Sequence, residues 1–564
     1  MSRPPAPPRR AGRGQWPLLL LLIGGVAAFA IVWSAGPFAR QGGGSGPPQY
    51  TEAVVGAPRN VNPLLASLNE VDRDLSSLVF SGLTYLGPTG EVLPDLAQSW
   101  EVSPDGLTYI FHLRPQVRWH DGQPFTAQDV VFTYSLLADP AFPGEPALSQ
   151  FWRQVQCEAL DSLTVQCKLP EPFAPFLAYA SIGILPSHLL KDVKATDLPN
   201  LSFNRAPVGT GPFRLLQMDE GRALLGRNPD YHLGPPHLER LELRFYPDVH
   251  AALTSLHRNE VQGLLLGPIV AQEDLDALAS QERYRFITAN RTTYTVIFFN
   301  TESPPLNDHK VRQALSLLID RNAITAGLLA GQALPADTPM PPGTWAHNTA
   351  VEPRRADRKA AQQLLTEAGW QRGQDGLWRK DGQELRLILV TDDDPVRQAI
   401  AREAARQLRE AGIVLLVTPV GAQEMIQDYL IPRNFQMALF SVDPGLDPDP
   451  YPAWHSTQVS PEGRNVTGYA DLDSDRLLEE ARKTTDLTRR QALYYRFEDL
   501  FREKAPAVVL YYPLYTYVVN ERLKGVDPGV LFYPASRFVN VWKWEIEGGG
   551  LPAVRPEPSP QSDH

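Results

Sequence analysis

"LRLILVTDDDPVRQAIAREAARQLREAGIVLLVT", residues 385–418, is the stretch that decides the fold class. It opens and closes on short apolar runs of strand length. Between them Ile400, Ala404 and Leu408 recur at helical spacing and Gly412 follows, the pattern of an amphipathic helix closed by a glycine. Strand, helix and strand in one short stretch make a βαβ unit, which predicts a parallel strand pair and an α/β body. "YTVIFFN" (294–300) reads as another strand, and "HKVRQALSLLIDRNAI" (309–324) and "RADRKAAQQLLTEAG" (355–369) read as helices. Upstream, "LTYIFHLRPQVRWHDGQP" (107–124) and "QVQCEALDSLTVQCKL" (154–169) are richer in strands and turns. No internal repeat is evident.

The second of these segments holds both cysteines, Cys157 and Cys167. Its alternation is that of a hairpin turning near Asp161 and Ser162, which sets the two sulfurs across paired strands. Two free thiols are the alternative, because the spacing fits no zinc site and no companion ligands stand nearby. An even count, the hairpin and the export signal favour a disulfide.

That signal is at the N-terminus. Residues 1–15 carry four arginines and no acid, and residues 16–33, "WPLLLLLIGGVAAFAIVW", are wholly apolar. The run is long for a signal peptide and slightly short for a membrane span. Flanking Trp16 and Trp33, and the lack of a clean cleavage site, favour an uncleaved anchor; the arginines place the rest of the chain outside the cytoplasm. Residues 34–48 read as a flexible linker and 548–564 as a disordered tail. The body between is too long for one core and calls for two or three lobes.

Charge narrows the function class. Net charge is -11, from 53 basic against 64 acidic residues, with no basic patch to suggest a nucleic-acid partner. Serine-hydrolase, zinc-protease and β-lactamase motifs are missing, and the histidines are scattered: His112 and His120 flank a hairpin, while His232 and His237 sit in a proline-rich loop, all read as surface or structural. No catalytic residues, metal ligands or cofactors are assigned. A secreted hydrolase is therefore a poor fit.

"FSVDPGLDPDPYPAWHS" (440–456) places three aspartates among four prolines, each aspartate followed by one. Proline fixes φ and lacks an amide donor, so the segment is a rigid connection. Asp447 and Asp449 are read as turn formers, the calcium pattern being incomplete. Tyr451 and Trp454 are candidates to line a pocket, with core packing as the alternative.

Five segments in order carry a resemblance: "LPDLAQSWEVSPDGLTYIFHLRPQVRWHDGQPFTAQDVVFTYSLL" (93–137), "PVGTGPFRLL" (207–216), "RNPDYHLGPPHLERLELRFYPD" (227–248), "VRQALSLLIDR" (311–321) and "AAQQLLTEAGW" (360–370). Together they resemble the extracytoplasmic solute-binding proteins of ABC transporters, family 5, the oligopeptide, dipeptide and nickel class. What the resemblance implies is a two-lobed clamp of the type II periplasmic-binding-protein kind, with a hinge and an extra subdomain in the N-terminal lobe. Lobe I would comprise 49–287 plus 516–547, and lobe II 288–515. A monomer would capture a peptide or similar small solute and pass it to permease subunits driven by cytoplasmic ATPases. A nickel chelate, sugar or opine on the same frame, or a ligand sensor, are the alternatives.

The resemblance also nominates residues. Asp443 is matched to an aspartate that pairs with a peptide's ammonium, and Leu439, Phe440 and Ser441 to a strand whose backbone pairs with the peptide. Ser67, Leu68 and Asn69, in "NVNPLLASLNEVDRDLSSLVFSGL" (60–83), would approach from the first lobe. No carboxylate-binding cation is placed, Arg433 being the nearest to consider. Gly209, Gly211 and Pro212 of "GTGPF" are read as structural turn residues.

Overall fold

The computed structural model describes residues 48–268, 270–460 and 462–547. The expected basic leader, apolar segment 16–33, linker up to 47 and tail 548–564 lie outside the described residues. Among the described residues no helix is long and apolar enough to cross a membrane.

The βαβ unit forms as its periodicity predicts. Arg386–Thr391 and Val414–Pro419 are parallel neighbours, paired from Arg386 against Val414 to Thr391 against Pro419. The helix Pro395–Glu410 links them. Asp394 caps it by accepting from the Val396 and Arg397 amides at 3.0 and 2.8 Å, and Pro395 stands in the first turn where no amide is needed. Ile400, Ala404 and Leu408 are fully buried. Gly412 adopts φ +90°, and a Cβ there would meet the Gly376 carbonyl at 2.1 Å, so the helix stop requires glycine twice over.

Two half-sheets share one strand. On one side Phe213–Met218, Arg222–Arg227, Arg240–Tyr246, Gln49–Val55 and Gly263–Leu266 run in spatial order. On the other, Val414–Pro419, Arg386–Thr391, Met437–Val442 and Tyr294–Phe299 do the same. The long strand Ala507–Asn520 belongs to both: Ala507–Tyr511 pairs with Tyr294–Phe299, and Thr516–Val519 with Gly263–Leu266. Tyr284–Asn290 pairs with the same strand and leads through Arg291–Thr293 into Tyr294–Phe299. The apolar cores divide accordingly. One is built around Tyr50, Leu75, Phe111, Trp152 and Trp544, a second around Ile297, Leu315, Leu389, Leu408 and Val508, a third around Tyr294, Trp454 and Phe497, and a fourth around Leu253, Leu264 and Val518. The fold is mixed α/β and two-lobed.

An antiparallel four-stranded sheet, Ala97–Val102, Thr108–Leu113, Thr164–Lys168 and Gln156–Asp161, packs into the first lobe's core with the helix Ala127–Ala138. Cys157 stands opposite Cys167 in its outer hairpin, and the two are joined by a disulfide.

A buried charge cluster ties the early and late parts of the described residues together in the first lobe. Arg537 donates to Glu52 at 2.6 Å and, through two nitrogens, to Asp74 at 2.8 and 2.6 Å, while the Tyr517 hydroxyl donates to the other Glu52 oxygen. Burial pushes the Glu52 carboxyl up against the pull of Arg537. A two-pronged guanidinium between two carboxylates is the arrangement that makes such burial tolerable.

The "GTGPF" turn is structural for a reason other than turn conformation. The backbone of Gly209–Pro212 runs against the end of the helix Glu70–Val79, where Gly211 donates to the Val79 carbonyl at 2.8 Å. A Cβ on Gly209 would lie 1.9 Å from that carbonyl oxygen. Close backbone approach, rather than a positive φ, is what excludes a side chain here.

Candidate functional site

The strand Met437–Val442 leads into the acidic loop, and its pairing is uneven. Every residue from Met437 to Val442 faces Tyr294–Phe299. On its other edge Arg386–Thr391 reaches only to Leu439, opposite Thr391. Phe440, Ser441 and Val442 therefore have one strand neighbour, and their second edge is unpaired by any described strand. An extended segment of another molecule could add there by main-chain hydrogen bonds. Leu439, expected to pair with a peptide, has no free edge: its backbone is flanked on both sides and its side chain is fully buried in the second lobe's core.

Each aspartate of the loop is matched to an arginine. Asp443 accepts from Arg291 at 3.2 Å and from the Gly445 amide at 2.9 Å. Asp447 holds Arg490 through both oxygens at 2.8 and 2.6 Å, and Asp449 holds Arg482 at 2.6 Å. The last two are buried, which goes beyond the turn-forming role: they lock the loop to the helices Leu472–Lys483 and Leu487–Lys504. Asp449 also accepts from the Tyr451 amide at 3.1 Å, as a turn former does. Asp443 alone keeps a substantially exposed side chain, at 42%. Its partner Arg291 would lose charge on burial, but Tyr515, Asp443 and Glu70 outweigh that and hold its pKa above the ordinary value.

Ser441 donates to or accepts from Thr295 at 3.1 Å and meets Arg397 at 3.3 Å. With Arg291 and Tyr515 it lines a recess of about 240 Å³ beside the crossover strands. The Arg397 guanidinium lies 5.6 Å from the Phe440 ring centre.

A larger cavity, about 410 Å³, lies between first-lobe walls and the second-lobe loop at Pro444, Gly445 and Leu446. Ser67 lines it, and Ser67 Oγ has no hydrogen-bond partner among the described residues. Leu68 is exposed. Asn69 is committed elsewhere: its side chain caps the helix Glu70–Val79 by accepting from Val71 and Asp72 amides at 2.8 and 3.2 Å. Trp454 is fully buried against Phe298 and Phe501, in core rather than in a pocket wall. Tyr451 is half-buried, stacked on His455 and covered by Arg482. Arg433 donates to the Val459 carbonyl and is not among the residues lining this cavity.

Several wall residues carry no sequence signal of their own. Arg73 spans from Glu70 at 2.8 Å to the Ser67 carbonyl at 3.1 Å, with Tyr533 3.9 Å beneath its guanidinium. Tyr85, Tyr231 and Trp542 meet edge to face or tilted, at 6.0 Å for Tyr85–Trp542 and 5.7 Å for Tyr231–Trp542. They come from three distant parts of the chain, which sequence spacing cannot register. Asp95, also in the wall, accepts from His232 at 2.5 Å. Arg464 lines the cavity and makes no ion pair with a described residue. Among the described residues no three His, Cys, Asp or Glu side chains are grouped to hold a metal ion.

The profile described as "Bacterial extracellular solute-binding proteins, family 5 Middle" matches residues 91–463. The chain belongs to this family of solute-binding proteins. It is 29% identical to the oligopeptide-binding protein AppA of Bacillus subtilis over 510 residues, covering 88% of this chain and 92% of that one. The structure of that AppA with a nonapeptide superposes with a TM-score of 0.64 at 27% identity, over 89% of this chain and all (100%) of the other. NikZ from Campylobacter jejuni in complex with Ni(L-His) gives a TM-score of 0.66 at 29% identity, over 88% of this chain and 99% of that one. As a family 5 solute-binding protein, the chain binds its solute outside the cytoplasm.

Proposed function

We propose that this protein captures peptides between its two lobes and delivers them to the membrane subunits of an ABC importer. The unpaired edge of Phe440–Val442, ending at the exposed carboxylate of Asp443, is the observation that carries the reading. Main-chain pairing gives affinity common to all peptides, and a carboxylate at its end fixes the position of the ammonium. Arg464 is assigned to the ligand's carboxylate, since it faces the cavity with no described ion-pair partner. The relative crystallised with a nonapeptide supports the peptide assignment.

The proposed lobes are 49–287 with 516–547, and 288–515, hinged where Arg291–Thr293 and the strand Ala507–Asn520 cross between half-sheets. Residues 16–33 anchor the monomer to the outer face of the membrane, and the permease's cytoplasmic ATPases power uptake. No catalytic step is required of the binding protein.

Full-length protein in detergent, exposed to a mixed peptide digest and examined by native mass spectrometry, tests the assignment. Bound peptides of varied sequence are expected. A nickel–histidine adduct, or another non-peptide adduct alone, would overturn it while leaving the clamp intact.

A further inference from the structure

The 410 Å³ cavity has walls that combine aromatic rings with small hydroxyl side chains. Phe80, Tyr85, Tyr179, Tyr231, Tyr533 and Trp542 contribute aromatic surface from four separated segments of the first lobe, and Leu446 closes the space from the second. Of the four charged groups among these walls, two are paired. Asp95 is held by His232 at 2.5 Å, and Arg73 by Glu70 at 2.8 Å with its face against Tyr533. Glu145 and Arg464 are exposed, so they stand at the solvent-facing margin.

A charged side chain entering this space would lose hydration and find Asp95 and Arg73 already engaged, with Arg464 at the margin assigned to the ligand's own carboxylate, which is costly. An aromatic side chain would exchange water for ring surface in edge-to-face and stacked contacts. Two wall hydroxyls, Ser67 Oγ and Ser76 Oγ, are buried without hydrogen-bond partners among the described residues, so turning either toward a ring's polar hydrogen would sacrifice no existing bond. The volume is near the lower end of the ~300–1,000 Å³ typical of small-molecule sites, which suits a short ligand carrying one large side chain rather than several.

We propose that this cavity is a side-chain subsite for an aromatic or bulky apolar residue, and that the clamp selects short peptides carrying tryptophan, tyrosine, phenylalanine or leucine. The inference rests on the peptide reading above and adds a selectivity that main-chain pairing alone does not supply.

Isothermal titration of the full-length protein with Ala-X-Ala tripeptides tests it, with X as Trp, Phe, Leu, Ala, Lys or Glu, alongside N-acetyltryptophan amide. Burial of one ring is expected to make the Trp and Phe peptides about ten- to a hundredfold tighter than the Ala, Lys and Glu peptides. Trp542→Ala and Tyr85→Leu are each expected to shrink that ratio severalfold, with unaltered circular dichroism and thermal midpoint excluding misfolding. Equal affinities across the series, or tighter binding of Lys or Glu, would overturn the subsite and leave the peptide reading standing. Binding of N-acetyltryptophan amide with no tripeptide would overturn the peptide reading and retain the aromatic pocket. Binding of neither overturns both.

Discussion

The Asp443 carboxylate is 3.2 Å from the Arg291 guanidinium, so the group nominated to receive a ligand's ammonium already holds a cation from the crossover between half-sheets. An incoming ammonium must share that carboxylate or displace the arginine. Asp443→Ala is therefore expected to weaken peptides with a free amino terminus at least tenfold and to leave their N-acetylated counterparts nearly unaffected. Arg291→Gln removes the competitor and should tighten the free-amine peptides severalfold. Calorimetry on the paired ligands reads both. Equal losses for free and acetylated peptides in Asp443→Ala would assign that residue to loop structure instead.

Arg537 joins the early and late parts of the described residues through Glu52 and Asp74, and all three are buried. Removing the cation leaves two carboxylates together in a low-dielectric core. Arg537→Met should cost about 3–5 kcal/mol of first-lobe stability, the range for breaking a buried ion pair by deleting one partner. Chemical denaturation followed by Trp fluorescence checks this. The triple change to apolar residues of similar size should recover much of the loss, because the penalty comes from uncompensated charge.

The legibility of this molecule in its sequence follows the range of the interactions. The βαβ unit at 385–418 was readable because its periodicity and capping residues are local, and Ile400, Ala404 and Leu408 are buried as their spacing requires. The hairpin carrying the cysteines was readable for the same reason. The site was less so. Asn69 looked like a ligand contact and is a helix cap, a role that "NEVD" with its acidic first turn does signal. Leu439 and Trp454 are core, which depends on what packs from elsewhere. No pattern around Asp447 and Asp449 could reveal Arg490 and Arg482, which arrive 43 and 33 residues later in the chain.

His120 makes the body sensitive to acid. Its Nδ1 accepts from the Gly209 amide at 3.2 Å and its Nε2 faces the Gly211 carbonyl at 3.0 Å, an arrangement that requires the neutral ring. Burial pushes its pKa down to about 4; Arg214 reinforces this, while the Gly211 carbonyl and Asp121 oppose it. Since the unfolded ring takes its proton near the ordinary 6.5, this contribution to stability is complete above that value. It falls as the pH drops toward 4, by about 1–3 kcal/mol after allowance for the ring's partial exposure. Stability measured from pH 7 to pH 4 in wild type and His120→Gln should show a shallower decline in the variant; parallel curves would remove His120 as the cause.

Besides the crossover strands, the lobes meet at Arg482. Its guanidinium lies 3.9 Å from the Tyr451 ring centre and 5.2 Å from that of Phe173, and its carbonyl accepts from the Ala174 amide at 2.7 Å. On the proposed division, Phe173 and Ala174 belong to the first lobe, and Tyr451 and Arg482 to the second. A second contact, from the Trp345 amide to the Thr89 carbonyl at 3.0 Å, also bridges them. Contacts that exist only when the lobes touch favour the closed form without touching the ligand, so they act on the closed population. Phe173→Ala removes the ring while leaving the Arg482–Asp449 pair in place. At about 0.5–1 kcal/mol for a cation over an exposed ring, the closed state should weaken and ligand dissociation accelerate about two- to fivefold, with association nearly unchanged. Stopped-flow displacement of a bound peptide measures both rates. A slower association with unchanged dissociation would place Phe173 on the entry path instead of in the closure contact.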